Sequence, residues 1–176
     1  EKIFAFRCHW CSYGGADLAG TSHFDYSANE RGIRVMCSAR MDPDFIYEAF
    51  RLGAGAVLYS GCHPQDCHYI TGQRVGATRA DRLQKLCEKL EMTSGRFRIE
   101  WISAAEGDKY SRVINEMQKV IDNIPHDQLM AEIERLRPEM EKRARRMYET
   151  PGVDKALVYS DEMVQAITAK EVKSGA

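Results

Sequence analysis

Five of the six cysteines fall between Cys8 and Cys67, as Cys8-His9-Trp10-Cys11, then Cys37, then Cys62-His63-Pro64-Gln65-Asp66-Cys67. Thiolates gathered in one place repel one another and lose hydration on burial, so a group of this kind calls for a cation among the sulfurs. A soft metal answers that need. The two-residue gap of the first pair lets neighbouring sulfurs turn to one ion, whereas the last pair has a four-residue gap; neither spacing alone fixes the metal, and zinc fits as well. A thioredoxin-type dithiol is the alternative for Cys8 and Cys11. That motif opens a helix with Pro or Gly in the gap, where this chain has His9 and Trp10. Cys87 stands apart, flanked by Leu83, Leu86 and Leu90, and reads as a small buried hydrophobe.

His9, His63 and His68 each follow a cysteine directly. Mixed ligation of the Rieske kind leaves one residue between Cys and His, so these histidines are read first as supporting or surface groups, with ligation the second reading. Ser12 and Ser38 also follow cysteines and are candidates to hydrogen-bond sulfur; Arg7, Arg34 and Arg40 lie close enough in sequence to favour the reduced state of a redox centre. Leu52-Gly53-Ala54-Gly55 precedes a strand-like run, the reverse of a phosphate-binding loop, and reads as a helix end and turn. No Ser-His-Asp, paired-carboxylate or His-Glu-x-x-His arrangement supports hydrolytic catalysis.

Three short β-like runs lead into these thiols: Lys2–Phe6 toward Cys8, Ile33–Met36 toward Cys37, and Ala56–Tyr59 toward Cys62. Asp42-Pro43 is an N-cap and first-turn pair that opens a helix carrying Phe45, Ile46, Ala49, Phe50 and Leu52, closed by Gly53. A further helix is predicted through Ala80, Leu83, Leu86, Cys87 and Leu90, then a strand over Phe97–Ile102, then a helix with a stripe from Tyr110 to Ile124. Strands separated by helices imply an α/β domain over residues 1–124, with a parallel sheet of about four strands and flanking helices, flavodoxin-like or related. Ligands of such sheets gather at the carboxyl ends of the strands, where Cys8, Cys37 and Cys62 fall. Residues 125–176 are read as a helical extension, kinked at Pro138, broken at Thr150-Pro151-Gly152 and followed by an amphipathic helix from Asp161 to Lys173.

With 25 basic and 26 acidic side chains the net charge is -1, so no bulk field draws nucleic acid or anionic lipid. No apolar run approaches the roughly 20 residues that cross a bilayer, and the first residues lack a signal peptide's apolar centre; a cytoplasmic protein is expected. In that setting six cysteines point to metal or redox chemistry more than to a disulfide framework.

The strings CHWCSYGGADLAGTS, IRVMCSARMDPDFIYEAFRLGAGAVLYSGCHPQDCHY and IEWISAAEG resemble the iron-sulfur delta subunit of methyl-viologen-reducing hydrogenase. The Cys-x-x-Cys-Ser-Tyr, Met-Cys-Ser, Gly-Cys-His-Pro and Asp-Cys-His-Tyr elements recur in order, and the resemblance covers roughly the first 124 residues. It implies a 2Fe-2S cluster and a non-catalytic electron-relay role. The implied partners are a [NiFe] hydrogenase or formate dehydrogenase on one side and the flavin-containing A subunit of heterodisulfide reductase on the other. A cluster of that type takes four cysteines, so the five candidates Cys8, Cys11, Cys37, Cys62 and Cys67 leave one over. Cys8, Cys37 and Cys62 at the strand ends, with Cys67 close behind, are the expected ligands and Cys11 the spare, with an exchange of roles between Cys8 and Cys11 as the alternative.

Overall fold

The computed structural model describes residues 1–149. Four strands form one all-parallel sheet in the order β2-β1-β3-β4: β1 is Lys2–Cys8, β2 Glu30–Val35, β3 Ala54–Gly61 and β4 Phe97–Trp101. This is the beginning of the flavodoxin-like order, in which the chain steps from β1 outward to β2 and then crosses to the other side for β3. The α/β expectation holds. β3 is buried at every position, Ala54 to Gly61, as befits a central parallel strand covered on both faces.

Helices α1 (Ser12–Thr21) and α4 (Gly107–Asp122) join Ile3, Ala5, Ala56 and Leu58 of the sheet in one core that includes Tyr110, Ile114 and Met117. Helices α2 (Pro43–Arg51) and α3 (Gly72–Lys89) are built as the periodicity predicts. Asp42 caps α2 by accepting from the Asp44 amide, Pro43 sits in its first turn, and Gly53 leaves it at φ 88°.

Helix α1 has no counterpart in the sequence reading. Its sequence, SYGGADLAGT, carries too few large apolar side chains to display a stripe. Small residues are what its packing needs. A Cβ on Gly15 would stand 2.7 Å from the Ser103 carbonyl oxygen, and one on Gly107 would stand 2.8 Å from the Ala19 amide nitrogen. The α1 backbone therefore lies directly against the segment that opens α4.

Helix α5 (His126–Glu149) continues through Pro138. Residues Glu1–Glu134 form one compact unit. Within it, Arg96 and Glu132 form an ion pair at 2.8 Å with both side chains almost wholly buried. The expected break at Thr150-Pro151-Gly152 and the expected helix over Asp161–Lys173 lie outside the described residues. Among the described residues, no helix is long and apolar enough to cross a membrane.

Candidate metal centre

The five clustered cysteines converge at the carboxyl end of the sheet. Cys8, Cys62 and Cys67 form a buried group, against which Cys11 and Cys37 pack. Cys8 ends β1 and Cys62 follows β3, the two neighbours between which the strand order reverses, so their sulfurs meet 3.5 Å apart in the crevice this topology opens. With Cys11 they make a triad whose sulfurs all lie within 4.8 Å of one another. Cys37 and Cys67 are gathered elsewhere in the group, around Gly72. A Cβ there would overlap the Cys37 sulfur and stand 3.2 Å from Cys67 Sγ. Cys87 is buried in α3, away from the group, as its leucine neighbours predict.

Each thiol is held by identifiable contacts. The Ser12 hydroxyl accepts from the Cys8 amide at 2.8 Å, and the Cys11 amide donates to Cys8 Sγ at 3.4 Å. Ser12 thus serves the backbone of the first cysteine through its hydroxyl, and its amide assists the Cys8 sulfur as the sequence suggests. Cys37 stands two residues beyond the end of β2 and begins a single 3-10 turn, Ser38–Arg40. That turn is fixed by Tyr59, whose hydroxyl donates to the Ser38 carbonyl at 2.7 Å, and by Arg79, which donates to the Ala39 carbonyl. Ser38 also lies against two glycines: a Cβ on Gly61 or Gly76 would come within 2.8 or 2.7 Å of its side chain. The Gln73 amide at the start of α3 donates to Cys67 Sγ at 3.2 Å.

Two of the three histidine rings have partners of their own, while His9 Nδ1 is buried without a hydrogen-bond partner among the described residues. His63 Nε2 is 2.6 Å from Glu106 Oε2, which also accepts from the Ser103 amide at 2.7 Å, so the loop after Cys62 is tied to the entrance of α4. Burial works to raise the Glu106 carboxyl, but these bonds hold it below its ordinary value. The His9 amide donates to the Val35 carbonyl at 2.7 Å, and the His68 ring stacks on Trp10. The arginines are engaged by aromatic rings: Arg7 and Arg34 lie over Tyr13, and Arg40 over Phe45. Arg7 also donates to the Tyr110 hydroxyl at 3.2 Å.

Packed like groups cannot all ionise together. A hydrogen bond from Cys62 brings the Cys8 thiol down to about 5 against the effect of burial, with the amides of Cys11 and Ser12 assisting. Cys62, the donor of that bond, is pushed up by making it and by burial. Burial raises Cys11 and Cys37 as well. One sulfur is therefore poised as a thiolate while Cys11, Cys37 and Cys62 hold their protons more tightly, and a cation among them would release those protons.

Sequence reasoning missed Gly72, Gly76, Tyr59 and Glu106. Each acts on a cysteine loop across a long stretch of chain, and nothing local in the sequence marks it. Gly72 and Gly76 stand four residues apart on α3, where their absent side chains leave room for the Cys37 sulfur and Ser38.

Residues 3–124 match the family model of the methyl-viologen-reducing hydrogenase delta subunit. Over 122 residues the chain is 46% identical to the A subunit of the ferredoxin/F420H2-dependent CoB-CoM heterodisulfide reductase of Methanosarcina acetivorans, a match covering 69% of this chain and 15% of that protein. It is 45% identical over 116 residues to the vhc iron-sulfur D subunit of the F420-non-reducing hydrogenase of Methanococcus voltae, covering 66% of this chain and 81% of that one. With the vhu iron-sulfur D subunit of the F420-non-reducing hydrogenase of Methanocaldococcus jannaschii it shares 35% identity over 130 residues, which is 74% of this chain and 97% of that one. The same segment thus makes up most of a small protein in some relatives and a minor part of a large one in others. Convergent thiols on a parallel sheet and the match along residues 3–124 agree: the chain belongs to the methyl-viologen-reducing hydrogenase delta-subunit family.

Proposed function

We propose that this chain is a non-catalytic electron-transfer subunit that holds a 2Fe-2S cluster on Cys8, Cys37, Cys62 and Cys67. It relays electrons between a [NiFe] hydrogenase or formate dehydrogenase and the flavin-containing A subunit of heterodisulfide reductase. The carrying observation is the convergence of five thiols from separate elements on one buried spot. The donor set fits the group in kind and number, since all-thiolate ligation of two irons asks for four cysteines. Relatives named as iron-sulfur subunits of hydrogenase, and one in which the segment lies inside the A subunit of a heterodisulfide reductase, support the relay and its partners.

When bound, such a cluster supplies one-electron oxidation and reduction. The chain's own part is to hold, dry and tune. Cys8 and Cys62 are the most buried of the five, at 1% and 3% exposure, and would be fixed by the strands that carry them. The amides of Cys11 and Gln73 donate to the sulfurs of Cys8 and Cys67, bonds that favour the more negative state and so raise a reduction potential. Cys11, the fifth thiol, supports Cys8 through its amide.

A second reading has one observation in its favour. The Cys8, Cys11 and Cys62 sulfurs, all within 4.8 Å of one another, have the spacing of three ligands around a single zinc ion, whose thiolates stand about 3.8 Å apart. Anaerobic purification with metal and labile-sulfide analysis separates the two. Brown protein with iron and sulfide in equal amounts is expected, abolished by Cys8→Ser, Cys37→Ser, Cys62→Ser or Cys67→Ser and kept by Cys11→Ser. Colourless protein with zinc, lost on Cys11→Ser, would sink the cluster. Recovery of the full chain from its native source free of any heterodisulfide reductase component would sink the relay.

A further inference from the structure

Two rings that the relay does not use stand face to face beside the cysteines. Trp10 lies between Cys8 and Cys11, and His68 follows Cys67. Their centroids are 3.7 Å apart and their planes inclined by 22°. His9 meets Trp10 edge-on at 4.8 Å and Tyr69 meets His68 edge-on at 5.4 Å, so the stack is braced from both ends. Trp10 shares its backbone with the triad of Cys8, Cys11 and Cys62, while His68 shares its backbone with Cys67, one of the two sulfurs gathered around Gly72. Each ring therefore belongs to a different half of the sulfur group.

The halves are otherwise joined by the Cys62–Cys67 loop and by the packing of Cys67 with Cys8 and Cys62. The Cys8–Cys11 turn is anchored by β1 and Ser12, and the Cys67 segment by its own turns, with the Ile70 amide donating to the Cys67 carbonyl at 2.8 Å. Among the described residues, no backbone hydrogen bond ties the first turn to the segment after Cys67. A left-handed Ile70, φ 61° and 88% exposed, marks that segment as one with little packing of its own.

We infer that the Trp10–His68 stack is a clamp between the Cys8–Cys11 turn and the Cys67 segment, setting how readily the cysteine site opens and gives up its metal. This rests on the metal-site reading above. Trp10 and His68 are positioning residues here and touch no metal themselves. An aromatic pair resists opening by a factor of a few, and each ring loses its worth when the other is gone.

The test uses the full chain purified anaerobically, with the parent, Trp10→Ala, Trp10→Phe, His68→Ala and the Trp10→Ala/His68→Ala double variant. Iron release to bipyridyl, with ascorbate present to reduce the freed iron, is followed by the colour of the ferrous complex, and circular dichroism checks the fold. Each alanine variant should release iron roughly three- to tenfold faster than the parent, the range one stacked pair supplies. Trp10→Phe, which keeps a ring face for His68, should stay within about twofold of the parent on the same basis, and the double variant should be no faster than the faster single one. Parent-like release from Trp10→Ala, or a double variant equal to the product of the single effects, overturns the clamp. Should Trp10→Ala fail to fold, His68→Ala carries the same test at an exposed position. A parent that holds no iron sinks the cofactor reading alone. The clamp is then judged in the metal-free proteins by thiol modification with an aromatic disulfide reagent, where the same order of rates supports it and equal rates overturn it.

Discussion

The two ends of the sheet handle buried polar chemistry in opposite ways. At the amino end, Arg96 is wholly buried yet fully answered. It donates to the carbonyls of Gly55, Leu129 and Ala54, pairs with Glu132 at 2.8 Å, and lies over the Phe50 ring. At the carboxyl end, five groups of the same kind face one another, held by backbone amides and by hydrogen bonds between the thiols themselves. A buried charge with its partner built in is a structural part, whereas clustered thiols that share protons among themselves are a set of ligands a cation would complete. The amino end is complete as folded, and the carboxyl end is where the proposed cluster would sit.

Loss of one thiol should break the contrast most sharply. Cys62→Ser is expected to abolish metal binding while Cys87→Ser, in the buried face of α3, leaves it intact, as iron analysis of the two purified proteins would register. At the opposite end, Arg96→Met removes the guanidinium 2.8 Å from the buried Glu132 carboxylate and should cost about 3–5 kcal/mol in urea unfolding. A loss under about 1 kcal/mol would mean that this pair behaves like a surface one.

The same pair carries a pH signature. Burial works to raise the Glu132 carboxyl, but bonds from Thr93 and Arg96 bring it from 4.5 down to about 2. A depressed folded value stabilises the fold above the unfolded value, and that contribution drains away as pH falls from about 4.5 toward 2. Urea stability of the parent should therefore decline across that window, and Glu132→Gln should flatten the decline. An unchanged slope would remove Glu132 from the account. The smallest effect belongs to Gly72→Ala, where overpacking costs about 1–3 kcal/mol and falls on the sulfurs of Cys37 and Cys67. Iron content should drop with the fold retained, whereas Gly20→Ala, with nothing within 4 Å, should be neutral or slightly stabilising.

What can be read from the residues follows the same division. Strand-end thiols are legible because short apolar runs lead into Cys8 and Cys62, and a central parallel strand such as Ala54–Gly61 shows itself as a near-continuous apolar stretch. α2 announces itself through Asp42, Pro43 and Gly53. α1 stays hidden, because its glycines and alanines are selected by closeness to α4 and produce no periodic signal. Apolar patterning places β2 too late, at Ile33–Met36 where Glu30–Val35 pairs with β1, since an edge strand exposed at most positions lacks alternation. Arg96 and the Trp10–His68 stack are out of reach for one reason. Their partners come from distant parts of the chain, and only the fold brings them together.

Parallel pairing supplies the centre with a ruler. Neighbouring strands keep a pitch of about 4.8 Å whatever their loops do, so Cys8 on β1 and Cys62 just past β3 inherit their separation from backbone hydrogen bonds laid down along the whole length of both. Insertions between α1 and β2, or between α3 and β4, lengthen the chain without moving either mark on that scale.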